Sequence, residues 1–258
     1  MVPAYRWLSP SRHAPQTWQA DPMKRLVAFG AALALSASLV GCSDNNKDDA
    51  AAKTGDDPVA LLTEVKKTID EAASVHLVIT GRDLPSSGQV LASGDGVATH
   101  APAFKGKLTV RAAGSPIDAE VVAVGSKVYA KLPFTSKFLE LPPSQLAGLG
   151  APDPAILLDP AKGLTAVLPT LKDAKIKGET RDGSKVLTEV TGSVEGKTLQ
   201  GIFPKAPADQ SFPSSFKIDK DTKQLVSATI TGPYYDGATS SYDITFDKYG
   251  EQVEITKP

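Results

Sequence analysis

Alternation of apolar and polar residues with a period of two runs through most of the chain beyond Ser74. Residues 104–112 show it clearly, because Phe104, Leu108 and Val110 fall on one side of the segment and basic residues fall between them. This period buries one face of a strand and leaves the other in water. Each such segment begins and ends near a Gly, Pro or Asp residue. This pattern predicts eleven strands, at residues 75–81, 89–100, 104–112, 117–124, 127–132, 174–180, 185–194, 214–219, 224–231, 240–247 and 252–256.

Helical spacing occurs before and between these segments. Asp57-Pro58 is typical of a helix start, and Leu62, Val65 and Ile69 then recur at helical intervals, which predicts a helix over residues 58–73. Shorter helices are predicted at residues 161–168 and 195–202. Short turns between strands favour antiparallel pairing. We therefore expect one α+β domain, with a large antiparallel sheet and a few helices on one of its faces.

The N-terminal part of the chain has the pattern of an export signal. Met23-Lys24-Arg25 precedes an uncharged run, residues 26–39, that is too short for a membrane span. Leu39-Val40-Gly41-Cys42 follows, and Cys42 is the only cysteine. This resembles a bacterial lipobox, so we expect residues 1–41 to be removed, with Met23 as the true start, and Cys42 to be acylated. The alternative is a lone buried cysteine.

An acylated Cys42 predicts a protein anchored in the cell membrane and facing the extracytoplasmic envelope space. Residues 42–57 lack apolar anchors and are expected to form a flexible tether, so the folded domain is expected at residues 58–258.

Charge and motifs argue against several classes of function. The chain has 28 basic and 29 acidic residues, a net charge of −1, which favours no nucleic-acid partner. The sequence contains no nucleophile elbow, phosphate-binding loop or metal-binding spacing, so we expect no enzyme, cofactor or metal. His76 and His100 lie within strand patterns. Asp118 and Glu120 are predicted to lie on the outer, solvent-exposed face of their strand.

The inner face of the predicted sheet carries short side chains, including Ala119, Ala123, Ala130 and Ala228, among aliphatic residues. Such a face either packs closely against helices or leaves an apolar cavity that favours acyl chains over polar ligands. The residue pattern leaves both possibilities open.

The order and spacing of several short segments resemble the LprG/LppX/LprA/LprF family of actinobacterial lipoproteins, and the LprG branch most. The resemblance spans nearly the whole chain and contains no catalytic motif. It rests on Ser74-Val75-His76, Ile117-Asp118-Ala119, Lys127-Val128-Tyr129-Ala130, Leu158-Asp159-Pro160, Gly163-Leu164 and Lys248-Tyr249-Gly250-Glu251-Gln252-Val253.

This resemblance implies a strongly curved half-barrel sheet, as in lipoprotein-carrier folds, around an apolar pocket for the acyl chains of triacylated glycolipids or triacylglycerol. It also implies carriage or presentation of these lipids between membranes, with a major-facilitator lipid exporter as partner. Gly106 would lie near the entrance. The implied ligand-binding residues are Gly106, Leu108, Val110, Ala119, Val121, Ala123, Val128, Ala130, Val186, Val190, Ile230, Ile244 and Phe246.

Two other functions remain open. An adaptor that docks a transporter or cell-wall enzyme would expose an apolar patch and need no internal cavity. An esterase would need a serine within hydrogen-bonding reach of His76 or His100.

Overall fold

The computed structural model of the chain describes residues 57–148, 151–235 and 238–258. These residues belong to one compact unit of the chain. The unit contains its own sheet and hydrophobic core, so we expect residues 57–258 to fold without the rest of the chain.

Eleven strands in the described residues form one antiparallel sheet with the order β6-β5-β4-β3-β2-β1-β11-β10-β9-β8-β7. The first and last strands along the chain pair at its centre, and β6 and β7 are its two open edges. The strands are β1 Ser74–Arg82, β2 Gln89–Thr99, β3 Ala103–Ala112, β4 Ser115–Val124, β5 Lys127–Lys131, β6 Leu139–Leu141, β7 Lys172–Asp182, β8 Lys185–Glu195, β9 Ser211–Asp219, β10 Leu225–Tyr235 and β11 Ala238–Asp247.

Helical segments lie against the inner face of this sheet, the face whose side chains enter the core. They are α1 Pro58–Glu71, α2 Pro143–Gly148 and α3 Gly196–Leu199, with 3₁₀ helices at Pro154–Ile156 and Leu164–Thr170. The predicted class, α+β with one large antiparallel sheet and a few helices, is confirmed.

The start of α1 follows from its sequence. The carboxylate of Asp57 accepts hydrogen bonds from the backbone N–H groups of Val59 and Ala60, at 2.9 and 3.3 Å. These bonds satisfy donors that have no partner within the helix, and Pro58 loses none because it has no N–H. Leu62 and Ile69 then point into the core, as the helical spacing predicts.

Two strand assignments differ from the sequence prediction. β6 was not predicted, because three residues before Pro142 are too few to show a period. The strand predicted at residues 252–256 is wrong. Lys248 and Gly250 turn the backbone with positive φ, and Gly250 donates its N–H to the Ser74 carbonyl, 2.8 Å away. Both edges of β1 are already occupied by β2 and β11, so the tail has no adjacent edge to join.

The core differs between the two halves of the sheet. Beside β10 and β11, the rings of Phe203, Phe212, Tyr234 and Tyr242 pack with centroids 4.7–5.0 Å apart. These rings fill the space beneath that half. The half formed by β2 to β6 has no comparable aromatic group among the described residues, and its inner face is not completely covered.

Candidate functional site

An apolar cavity of about 230 Å³ lies against the inner face of β3, β4 and β5. It is completed by β6, α2 and Ala151, which together we call the cover. The lining residues are Leu108, Val110, Ala112, Ile117, Ala119, Val121, Ala130, Leu132, Phe134, Leu141, Gln145, Leu146 and Ala151.

Strand register creates part of this space. Ala119 on β4 lies opposite Leu108 on β3, and Ala130 on β5 lies opposite Val121 on β4. Each pair joins one small and one larger side chain, so the sheet surface is lower at the alanines. The cavity remains where the cover does not reach down to them.

The cover is held by local backbone hydrogen bonds. The Gln145 N–H donates to the Pro142 carbonyl at 2.9 Å, and the Ala151 N–H donates to the Leu146 carbonyl at 3.1 Å. Leu146 lines the cavity and is only 3% exposed, so α2 shields this part of the cavity from solvent.

Burial of the lining residues shows where the cavity opens. Leu108 and Leu146 are buried, Val110 and Ile117 are half-buried, and Phe134 is 78% exposed. Phe134 belongs to residues 132–138, the segment between β5 and β6, which we call the rim loop. The mouth of the cavity is therefore at the rim loop, close to the β3–β4 turn.

The chemistry of the lining favours hydrocarbon. Gln145 is the one lining residue with a polar side chain, and none of the lining residues is titratable. A polar group placed inside would lose its hydrogen bonds to water without replacement. A cavity of about 150 Å³ holds one benzene molecule, so by proportion this one holds roughly nine carbon atoms of an acyl chain.

The predicted ligand-binding residues fall into two groups. Leu108, Val110, Ala119, Val121 and Ala130 line the cavity. The other positions lie elsewhere on the inner face, where neighbouring side chains fill the space. Ala123, Val128, Val190, Ile230, Ile244 and Phe246 belong to the core, and Val186 is half-buried.

Gly106, predicted to lie near the entrance, is not among the residues that line this cavity. It pairs with Gly96 across β3 and β2. The ring of Phe104 lies over both glycines, and a Cβ atom at Gly106 would be 2.7 Å from the Phe104 Cζ. The absence of a side chain here makes room for an aromatic ring of the same strand.

Sequence reasoning missed the residues that close the cavity and form its rim, chiefly Leu132, Phe134, Leu141, Gln145, Leu146 and Ala151. Their segment contains several prolines and shows no regular period, so the sequence did not indicate which of its side chains face the core. One available signal was the apolar Leu132-Pro133-Phe134 at the end of a strand. Ala112 and Ile117, on strands already predicted, were also missed.

The two histidines of the described residues lie outside the cavity lining. His76 lies on the outer face, with Nδ1 2.5 Å from an oxygen of Asp247 and Nε2 3.0 Å from an oxygen of Asp95. Burial acts to lower the pKa of His76, but the hydrogen bonds and charges of Asp247 and Asp95 outweigh it and raise the pKa above 6.5. His100 Nε2 lies 2.9 Å from the Ile69 carbonyl oxygen.

Other predicted features lie partly outside the described residues. Cys42, the export segment and most of the tether precede residue 57 and belong to the part that the structure does not describe. From residue 57 onward, the described part contains no helix long and apolar enough to cross a membrane. The same residues contain no group of three or more His, Cys, Asp or Glu side chains placed to hold a metal ion.

Comparison with known proteins identifies relatives that are similar over nearly the whole chain. The family model for LppX_LprAFG lipoproteins matches residues 57–255. Lipoarabinomannan carrier protein LprG of Mycobacterium tuberculosis is 29% identical over 241 residues, covering 91% of this chain and 95% of the relative. LprG of Mycolicibacterium smegmatis is 29% identical over 248 residues, covering 93% and 99%. Lipoprotein LprA of M. tuberculosis is 26% identical over 249 residues, covering 92% and 98%.

Solved structures share the fold. LprF from Mycobacterium bovis superposes with a TM-score of 0.64 at 22% identity, covering 78% of this chain and 96% of LprF. The M. tuberculosis lipoprotein LppX superposes with a TM-score of 0.56 at 18% identity, covering 77% and 97%. The match over residues 57–255, the relatives and the open eleven-stranded sheet agree, and the chain belongs to the LppX_LprAFG lipoprotein family.

Proposed function

We propose that this protein binds the acyl chains of a triacylated glycolipid or triacylglycerol in the cavity and carries or presents that lipid between membranes of the cell envelope. The observation that carries the proposal is an apolar cavity that opens to solvent beside Phe134. Moving an acyl chain through water costs about 0.8 kcal/mol per CH₂ group. A cavity lined by aliphatic side chains removes most of that cost, and the sugar head group stays outside.

The cavity in this conformation holds only part of one chain, roughly nine carbon atoms. Loading of a three-chain lipid therefore requires the space to grow. We propose that β6 separates from β5 and that the cover then moves outward, because β6 has only three residues and is an edge strand. The aromatic half beside β10 and β11 is close-packed and has less freedom to open.

We propose that acylated Cys42 anchors the protein in the cell membrane, with the domain facing the extracytoplasmic space. Two or more acyl chains hold a protein stably, whereas a single chain exchanges. The exporter is proposed from the family resemblance, as a major-facilitator lipid transporter in the same membrane. Co-purification of the membrane-extracted full chain with such a transporter tests that partner.

We propose a cycle without covalent chemistry. His76 is engaged by carboxylates through both ring nitrogens, and the Nε2 atom of His100 faces a backbone carbonyl. Neither histidine bonds to a serine in the described residues, so the geometry offers no support for an esterase. An adaptor also gains no separate support, because the exposed Phe134 is part of the cavity lining.

The proposal is tested by measuring lipid occupancy. The domain 57–258 is produced in an actinobacterial host and examined by native mass spectrometry, followed by extraction of bound lipid. We expect about one acyl lipid per unaltered domain. Ala119→Phe should abolish occupancy, because its ring occupies the cavity floor beside Leu108. If the unaltered domain carries no lipid and takes up none when glycolipid is added, the carrier function is wrong.

Val78→Phe is the matched control. Val78 is half-buried on β1 and pairs with Asp95 and Thr245, so the introduced ring lies on the outer face of the sheet. We expect its lipid occupancy to equal that of the unaltered domain. Equal occupancy in Ala119→Phe would place the lipid outside this cavity.

A further inference from the structure

Two chain segments border the mouth of the cavity, and both are nearly uncharged. The segment that we call the β3–β4 turn, residues 113–116, comprises the two turn residues and the first two residues of β4; it is exposed and has the sequence Ala-Gly-Ser-Pro. The rim loop, residues 132–138, has the sequence Leu-Pro-Phe-Thr-Ser-Lys-Phe. Cavity-lining residues flank both segments, since Ala112 and Ile117 adjoin the turn and Leu132 begins the rim loop.

Phe134 is the most exposed large apolar side chain of the described residues, at 78%. Leu139, just beyond the rim loop, is 49% exposed. Phe134 also lines the cavity, so its ring joins the outer apolar surface to the inner one. Exposure of an aromatic ring to water at this place is unfavourable unless an apolar surface covers the ring.

The charge at the mouth is cationic. Lys137 is the only charged residue in the turn and the rim loop, and it is exposed. Lys131, immediately before the rim loop, lies 3.8 Å from Glu120, which leaves little net charge at that position. A single exposed lysine beside an apolar tip suits a surface with hydrocarbon beneath a layer of anionic head groups.

We propose that the rim loop and the β3–β4 turn are the surface with which the domain enters a bilayer that contains anionic lipids. Phe134 inserts among the acyl chains, and Lys137 pairs with head-group phosphates. The mouth of the cavity then opens directly into the hydrocarbon, so a chain moves from bilayer to cavity without crossing water. The inference rests on the proposed function, because acyl cargo is what makes a membrane the place of loading.

A bilayer fits this surface better than a protein partner does. An aromatic side chain buries at most about 250 Å², whereas stable protein interfaces bury about 1,200–2,000 Å² in total. Phe134 and Leu139 alone do not supply that area. Insertion into a bilayer needs no complementary surface, and one aromatic ring with one lysine gives weak, reversible binding, as repeated loading and release require.

The test measures partition of the domain 57–258 onto vesicles by co-sedimentation. The vesicles are phosphatidylcholine alone or phosphatidylcholine with phosphatidylglycerol, so the membrane anchor and other proteins are absent. Phe134→Ser should lower partition onto both kinds of vesicle about tenfold. Lys137→Glu should lower partition onto the anionic vesicles about fivefold or more and leave the neutral ones unchanged.

Val59→Ser is the matched control. Val59 is 44% exposed on α1, which packs against the 3₁₀ helix Leu164–Thr170, and Val59 does not line the cavity. Its partition should stay within twofold of the unaltered domain. If Phe134→Ser partitions as the unaltered domain does, or if the domain partitions onto neither kind of vesicle, the inference is overturned.

Uptake of a fluorescent fatty acid at monomeric concentration separates this inference from the proposed function. Lys137 does not line the cavity, so the Lys137→Glu domain should take up the probe normally while its partition onto anionic vesicles falls. A domain that takes up the probe but binds vesicles independently of Phe134 contradicts the docking surface alone. A domain that binds vesicles through Phe134 but takes up no probe contradicts the carrier function alone.

Discussion

His76 connects three strands at the centre of the sheet. It belongs to β1, and its two ring nitrogens reach Asp247 at the end of β11 and Asp95 on β2. The two aspartates are 63% and 66% exposed, so each pair contributes about 0.2–1 kcal/mol. These contacts lie where the two halves of the sheet meet, because β1 pairs with β2 on one side and β11 on the other.

The raised pKa of His76 predicts a pH dependence of folding. A pKa that is higher in the folded state stabilises the fold fully below the unfolded value of about 6.5, and this stabilisation is lost as the pH rises through the folded value. We expect the free energy of unfolding, measured with urea, to be lower at about pH 9 than at about pH 6. His76→Gln should flatten this difference. If the variant shows the same pH dependence, other titratable groups cause the change in the free energy of unfolding.

At the residue scale, sequence reasoning placed His76 on a strand, but it did not identify its partners. Asp95 and Asp247 lie 19 and 171 positions away along the chain. Alternation shows that a side chain faces outward, but only the pairing of strands shows which acids stand beside it.

The pairing of β2 with β3 depends on two facing glycines. Gly96 and Gly106 lie opposite each other, and the ring of Phe104 covers them both. A Cβ atom at Gly106 would contact the Asp95 carbonyl and lie 2.6 Å from the Gly96 Cα, so the strands would have to separate. The ring occupies the space that two ordinary side chains would fill.

Gly106→Ala should therefore destabilise the fold by about 1–3 kcal/mol, as overpacking of a well-packed site does. Gly148→Ala is the control, because a Cβ atom there has no neighbour within 4 Å and Gly148 lies in α2, where alanine is favoured. Urea denaturation of both variants measures the difference. Equal stability of the two would show that β2 and β3 adjust without cost.

At the element scale, α1 and ten of the strands could be predicted because their signals are local. An N-cap at Asp57 and alternation along residues 104–112 depend only on neighbours in sequence. The 3₁₀ helix Leu164–Thr170 and the single turn of α3 were predicted as helices near those places, with different limits. Such short segments take their limits from what they pack against.

The molecule as a whole combines a filled half and a hollow half. Phe203, Phe212, Tyr234 and Tyr242 fill the space beside β10 and β11, while the cavity lies under β3, β4 and β5. Both possibilities raised by the short inner-face side chains therefore occur, in different halves of one sheet. An unfilled cavity lowers the free energy of unfolding, and a ligand bound in the cavity raises it.

This arrangement predicts a coupling between cargo and stability. A monomeric fatty acid at about one hundred times its dissociation constant should stabilise the unaltered domain by about 2.7 kcal/mol, seen as a higher midpoint of thermal unfolding. Ala119→Phe should start at a higher midpoint, because it fills the cavity, and should gain nothing from the ligand. Val78→Phe should keep the full ligand response. A ligand response that persists in Ala119→Phe would contradict binding at this cavity.

The sequence by itself determined the class of the fold, most strand positions, α1 and the face of the sheet that is buried. These follow from periodicity and capping, which are read over a few neighbouring residues. Five of the predicted ligand-binding residues line the cavity for the same reason, since Ala119 and Ala130 are small residues on an inner face.

Only the tertiary structure decided where that inner face stays uncovered. Ala123 and Ala119 lie on the same face of β4, yet Ala123 is fully buried in the core while Ala119 borders the cavity. Ala123 lies beside Phe104 on the neighbouring strand and within the packed core, whereas the cover is incomplete above Ala119. Packing of segments distant in sequence sets that contact, and no period within a strand records it.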